Sequence, residues 1–182
     1  MQNQGTKFVT FAASFREPNI ESQMEGAEYF YTLLKNLHNI DRQHFAWDPN
    51  PNVSDDIANP DFSFSVGGNS FFMPFLYEYS GSKSRRSMIP MVVFNAHIIF
   101  DKLRSIKFNR NGGETNAYEQ LETIIRDRQT WGVHPNLGEH GEVNEFVQYA
   151  LVDPDDASQA KDKEIVKKIL GECPFKGDNT TR

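Results

Sequence analysis

Cysteine is almost missing from this 182-residue chain: a single copy, Cys173, stands near the C-terminal end. No internal disulfide can form, so a disulfide-stapled scaffold is excluded and a reducing compartment suits the chain. Long hydrophobic runs are missing too, and no stretch approaches the ~20 apolar residues that span a bilayer as a helix. The start, Met1-Gln2-Asn3-Gln4-Gly5, shows no positive segment leading into an apolar one, which predicts a cytoplasmic protein without a signal peptide. Basic charge is also short. Nineteen Lys and Arg face 25 Asp and Glu, for a net charge of −6, and Arg85-Arg86 is only a pair, so no basic stripe suggests a nucleic-acid surface. No glycine-rich phosphate loop leads into a helix, and no Ser or Cys nucleophile has a recognisable setting.

Phenylalanine is plentiful, with 15 copies. Such a stock serves equally as an aromatic core or as the flat apolar walls of a pocket. The length suits one domain with a real core. We read residues 1–182 as a single domain, with its core at about 6–175 and a polar tail at 176–182.

Alternation predicts a first strand over Lys7–Phe15, and apolar residues at helical spacing predict a helix over about 21–40. Strands over Asp61–Val66 and Ser70–Tyr77 flank the turn Gly67-Gly68-Asn69 as a hairpin, with Pro74 marking an edge or a bulge. Met88–Phe94 is the next strand. Asn95 then reads as an N-cap, and Ile99, Leu103 and Ile106 continue at helical spacing, which puts His97 in the first turn of a helix just past a strand. A second helix is expected over 115–130, a strand over 146–152, and a charged helix over about 157–170 closed by Gly171. The expected class is α+β, with helices packed on a mainly antiparallel sheet.

Four groups of side chains carry candidate chemistry. His97 and Asp101 are spaced i,i+4, so a carboxylate could orient the imidazole for a metal or simply pair with it. Arg85 and Arg86 could hold an anion or sit in a solvated loop. Arg128 falls on the apolar side of its helix and needs either an ion-pair partner or a ligand. His134, Glu139, His140 and Glu142 could gather a divalent metal, without the fixed helical spacing of a metalloprotease. His38, at the end of an apolar stripe, reads as a hydrogen-bonded core histidine. Cys173 reads as a small buried hydrophobe or a thiolate ligand.

From about Phe8 to Phe175 the chain resembles the YqcI/YcgG family, which includes haem-dependent N-hydroxylases of guanidines and arginine. The resemblance rests on Leu37-His38-Asn39-Ile40-Asp41, Trp47-Asp48-Pro49, Asp61 through Gly68, Phe71-Phe72, Arg85-Arg86, Phe94-Asn95-Ala96-His97 with Phe100 and Leu103-Arg104, Ile125-Arg126-Asp127-Arg128, Asn144-Glu145 with Gln148-Tyr149, and Cys173-Pro174-Phe175. It implies haem b with His97 as axial ligand, tuned by Asp101. It further implies O₂, an external electron donor or reductase, and a small guanidine- or amine-bearing substrate that is N-hydroxylated. Arg85, Arg86 and Arg128 carry over as propionate or carboxylate contacts, Phe71, Phe72 and Phe94 as walls, and Glu145 as a partner for a guanidinium. The chain departs from the family at Leu76-Tyr77-Glu78, where Leu-His-Pro is usual, so Tyr77 stands in the place of a histidine. It also departs at Gly81-Ser82 and at Ala150-Leu151-Val152. Two alternatives stand beside this reading: a non-catalytic haem or small-ligand binder, favoured by these departures, and a metal-dependent hydrolase using His134, His140 and Glu142.

Overall fold

The longest strand, β5 (Met91–Ala96), holds the sheet together and ends where helix α2 (His97–Ser105) begins. The computed structural model describes residues 10–16, 18–110, 112–121, 134 and 136–152. Strand β1 (Phe11–Ser14) pairs with one side of β5, in register Phe11 with Phe94. Helix α1 (Gln23–Asp41) follows. Next come β2 (Phe64–Val66) and β3 (Asn69–Phe72), an antiparallel hairpin, and the two-residue β4 (Phe75–Leu76). β3 pairs with β5 at Ala96 and Asn95, and β4 pairs with it at Val92 and Met91. The sheet order is β1-β5-β3-β2, with β4 beside β5, and every strand pair is antiparallel. The expected α+β class is correct.

α1 starts where the sequence supplies a cap. The Ser22 side chain accepts a hydrogen bond from the Glu25 backbone N–H at 3.2 Å, and Glu25 accepts one from Glu21 N–H at 2.8 Å. The helix buries Ala27, Phe30, Tyr31 and Leu34 against the sheet. There Phe30 stacks on Phe75 with ring centroids 5.0 Å apart, and Phe75 stacks on Tyr77 at 4.9 Å. Gly26 makes that seat possible, since a Cβ at this position would lie 2.3 Å from the Tyr77 ring. The hairpin turn uses Gly67 and Gly68 at φ +60° and +73°, a region that L side chains rarely adopt. Two carboxylates of the preceding segment secure it: Asp41 accepts Gly67 N–H and Asp48 accepts Ser70 N–H, both at 2.8 Å.

The elements differ from expectation in four places. Pro74 interrupts the second hairpin strand, so Asn69–Phe72 and Phe75–Leu76 pair with β5 separately. Asn95 is not a helix cap. It remains in β5, where its side-chain oxygen lies 2.8 Å from Thr10 Oγ1, and Ala96 occupies the N-cap position. After α2 come β6 (Lys107–Arg110) and β7 (Gly113–Asn116), paired antiparallel, and helical residues start only at Ala117 rather than at 115. The expected strand over 146–152 is instead a single 3₁₀ turn at Phe146–Gln148, followed by Leu151 at φ +44°. Phe146 stacks on Tyr31 at 4.8 Å there, so burial came without strand pairing. The helix expected over 157–170 and Gly171 lie outside the described residues. Among the described residues no helix is long and apolar enough to cross a membrane.

Candidate active site: a buried carboxylate facing two imidazoles

β5 ends at the sheet and α2 starts at once, so His97 is held by two rigid elements, as its place in the sequence predicts. Its ring is buried and faces the carboxylate of Glu145, which is itself only 3% exposed. Glu145 stands just before the 3₁₀ turn. Asn144 starts that turn by accepting the Phe146 N–H at 2.9 Å, and its amide donates to the Ile57 carbonyl. The third member, His140, comes from the loop before Glu145. Gly141 permits that loop at φ +85°, and its N–H donates to the Pro60 carbonyl at 3.2 Å.

Each Glu145 oxygen has a different environment. Oε1 receives the Tyr149 hydroxyl at 2.7 Å and lies 3.1 Å from Ser63 Oγ. The Tyr149 oxygen in turn accepts the Phe64 backbone N–H at 3.1 Å. Oε2 lies 3.1 Å from His140 Nδ1 and 2.9 Å from His97 Nε2. The His97 pair is close without the alignment of a hydrogen bond, which leaves a buried ring nitrogen with no hydrogen-bond partner. Such a nitrogen is costly unless something completes it. His140 adds a second constraint. Its Nε2 lies 3.2 Å from the Asn52 carbonyl, so both ring nitrogens face acceptors. Either the imidazole carries two protons, or Nδ1 offers its lone pair to a cation.

The electrostatics agree with a tightly coupled group. Burial pushes the Glu145 carboxyl up, but hydrogen bonding from His140 and the adjacent His97 ring bring it below its ordinary value. The hydrogen bond to Glu145 raises His140. Burial, and then the Glu145 charge, push the Tyr149 phenol well above its usual range, so it stays a proton donor to that carboxylate.

A cavity of about 250 Å³ opens beside the group. Phe72, Phe100, Leu103, Tyr118 and Leu121 supply apolar walls; His97, His140 and Glu145 form one end, and Arg104 supplies a cation. His97 meets Phe100 edge-on at 5.8 Å, and Phe100 meets Tyr118 edge-on at 6.1 Å.

The residues singled out in the sequence are therefore dispersed. His97, Glu145 and Phe72 come together at the cavity. Asp101 does not orient His97: it is largely exposed and lies 3.6 Å from Arg104, while the carboxylate beside the His97 ring is that of Glu145. Phe71 and Phe94 pack edge-on on one another at 5.9 Å, and Phe94 also contacts Phe11, outside the cavity lining. Tyr77 is fully buried against α1, and its hydroxyl donates to the Gln23 carbonyl at 3.2 Å. Arg85 donates to the backbone carbonyls of Gln148 and Tyr149 and lies over the Phe72 ring, 5.5 Å from its centroid. Burial lowers its pKa to about 10. Arg86 donates to the Ser80 carbonyl and lines a separate surface cavity with Glu78, Tyr79 and Met88. Of the loop cluster only His140 reaches the site, since the His134 ring bonds the Val152 carbonyl at 2.9 Å. Arg128 and Cys173 lie outside the described residues. His38 is buried near Trp47, with ring centroids 6.0 Å apart.

Sequence reasoning missed Tyr149 and Ser63 as holders of Glu145, and Arg104 and Tyr118 as cavity wall. Gln148-Tyr149 was visible as a shared motif, and the i,i+4 spacing of Glu145 and Tyr149 was the signal available.

A family model for the YqcI/YcgG family matches residues 1–162. The chain belongs to the YqcI/YcgG family. No curated protein and no solved structure matches it.

Among the described residues, the surroundings of His97 do not suit the axial position that resemblance to haem-dependent YqcI/YcgG proteins implies for it. An axial imidazole must face an open flat slot, yet His97 Nε2 faces a carboxylate oxygen 2.9 Å away. That carboxylate is fixed by Tyr149, Ser63 and His140. The cavity, at about 250 Å³, falls below the ~300–1,000 Å³ of sites for drug-sized ligands. Of the arginines offered for propionates, Arg85 and Arg86 are bonded to backbone carbonyls. A single ion suits the same atoms. One ligand atom each from His97, His140 and Glu145 lies within 4.8 Å of the others.

Proposed function

We propose that this protein is an oxygenase with a mononuclear iron ion, oxidising a nitrogen of a small organic substrate. The convergence of His97, His140 and Glu145 on one buried point beside an aromatic-walled cavity carries the proposal. Two histidines and one carboxylate, with coordination positions left open, form the donor set of non-haem iron oxygenases. The resemblance to N-hydroxylases supports nitrogen as the atom oxidised. When bound, the ion would supply O₂ activation that no side chain can.

The chain's own residues do the rest. Glu145 supplies negative charge where a cation would sit, and Tyr149 and Ser63 fix its orientation through the other oxygen. His140 would donate Nε2–H to the Asn52 carbonyl and so present Nδ1 as a lone pair, an outer contact typical of ligating histidines. Phe72, Phe100 and Tyr118 exclude water and orient the substrate. In the overall reaction one atom of O₂ enters an N–H bond to give N–OH. The other leaves as water, with two protons and two electrons from an external reductant.

Two histidines and a glutamate also bind zinc in hydrolases, so the identity of the bound metal decides between the two readings. The test is metal analysis with absorption spectroscopy of the protein purified without added metal. The proposal expects iron close to one equivalent, no Soret band, and loss of iron in His97→Ala and Glu145→Gln variants that keep the wild-type circular dichroism. A Soret band, or stoichiometric zinc with hydrolytic turnover, would overturn it.

A further inference from the structure

The chemistry of the cavity wall restricts the substrate further. His97, Phe100 and Arg104 stand at i, i+3 and i+7 on α2, so they share one face of the helix. His97 and Arg104 are separated by about 10 Å along the axis at 1.5 Å per residue. The Arg104 guanidinium lies over the Tyr118 ring, 4.3 Å from its centroid, a cation–π contact that holds it at the cavity wall. Its acidic neighbour, Asp101, is 59% exposed and 3.6 Å away, an ion pair weak enough to yield to a ligand. Among the described lining residues the carboxylate is Glu145, toward the other end of α2, and it is engaged through both oxygens. Among the described residues a cationic guanidine would meet a cation at one end and a committed carboxylate at the other.

We infer that the cavity binds a carboxylate: the substrate is a small aromatic or compact apolar molecule whose carboxylate pairs with Arg104 and whose far end reaches His97 and Glu145. Arginine presents a planar fork that matches a carboxylate through two parallel hydrogen bonds. Phe72, Phe100 and Tyr118 give faces and edges for one flat ring. The volume is adequate, since a cavity of about 150 Å³ already accepts benzene. The inference deepens the proposed function by naming the substrate class, and it rests on that reading only for the reaction, because binding at Arg104 needs no metal.

Metal-free protein therefore serves for the test. Calorimetric titration with 4-aminobenzoate and with aniline compares the same ring and amine with and without a carboxylate. Wild-type protein is expected to bind 4-aminobenzoate at least tenfold more tightly than aniline. Arg104→Gln removes the preference. Lys102→Gln, which deletes a charge from an exposed position of the same helix, preserves it. Equal binding of the two probes, tighter binding of benzylguanidine, or an unchanged preference in Arg104→Gln would overturn the inference. Iron content of the Arg104→Gln protein separates the two proposals. Retained iron with no carboxylate preference in either protein defeats the substrate assignment alone, and carboxylate binding in a protein that takes up no iron defeats the oxygenase assignment alone.

Discussion

His97 Nε2 and Glu145 Oε2 lie 2.9 Å apart in the interior, yet are not aligned to share a hydrogen bond. Forty-seven residues of chain separate them, and the sheet, α2 and the 3₁₀ turn hold the contact. A histidine and a carboxylate that only needed to stabilise the fold would gain by aligning. The misalignment, with His140 facing the same oxygen, is what an intervening cation would explain.

Removing that carboxylate should destabilise the protein even without metal. Glu145→Ala leaves the Tyr149 hydroxyl, Ser63 Oγ and His140 Nδ1 facing a void. Breaking a buried charged group in this way costs about 3–5 kcal/mol. Urea denaturation of the metal-free variant and wild type measures the loss; a difference under 1 kcal/mol would show that Glu145 is not held as described.

Tyr149→Phe tests the support of the carboxylate separately. The variant keeps the ring, which packs edge-on on Phe30 and Phe72, and loses the hydroxyl that donates to Glu145 and accepts from Phe64 N–H. A stability loss of about 1–3 kcal/mol is expected from the groups left unpaired. Iron affinity should fall about 10–100-fold, as for other outer contacts of metal ligands. Unchanged affinity in a folded variant would remove Tyr149 from the site.

The imidazole–carboxylate pair gives the metal-free protein a pH signature with two edges. His140 is raised above its ordinary 6.5, so its contribution is complete below that value and is lost as pH climbs through the raised folded value. Glu145 is lowered below its ordinary 4.5, so its contribution is complete above that value and is lost as pH falls through the depressed folded value. The stability difference between wild type and His140→Gln should therefore be largest between about pH 4.5 and 6.5 and shrink on both sides. Chemical denaturation across pH 3 to 9 would measure it, and a difference that grows steadily with pH contradicts the assignment.

Tyr77, read from the sequence as standing where a histidine is expected, is fully buried. Its hydroxyl bonds the Gln23 carbonyl and its ring stacks on Phe75. Tyr77→Phe should cost about 1 kcal/mol of stability, the worth of one hydrogen bond. Iron content should not change. Loss of bound metal in this variant would place the ligand at Tyr77 instead.

How far the sequence could be read follows from which signals are local. The α1 stripe, the Gly67-Gly68 turn and the strand-to-helix junction at His97 are set by neighbouring residues, and all three stand where spacing predicts. The 146–152 segment misled because apolar burial alone does not distinguish a strand from a turn: Phe146, Tyr149, Ala150, Leu151 and Val152 are all buried without a ladder. The Lys107–Asn116 hairpin was hidden by its polar content, since strands of Lys, Asn, Glu and Thr carry no apolar alternation. At the site, His97 was legible from its junction. Its carboxylate was not, because Asp101 was the close neighbour in sequence and Glu145 the close neighbour in space. That pairing depends on long-range packing around Tyr149 and Phe146, which spacing along one helix cannot report.

The most direct test of the central claim is the metal bound by the purified protein, read by elemental analysis and by its ultraviolet–visible spectrum together. An ion held by His97, His140 and Glu145 predicts iron near one equivalent per chain, no Soret band, and loss of that iron on Glu145→Gln. A Soret band that survives Glu145→Gln, or a protein that binds no transition metal at micromolar concentration, would contradict it.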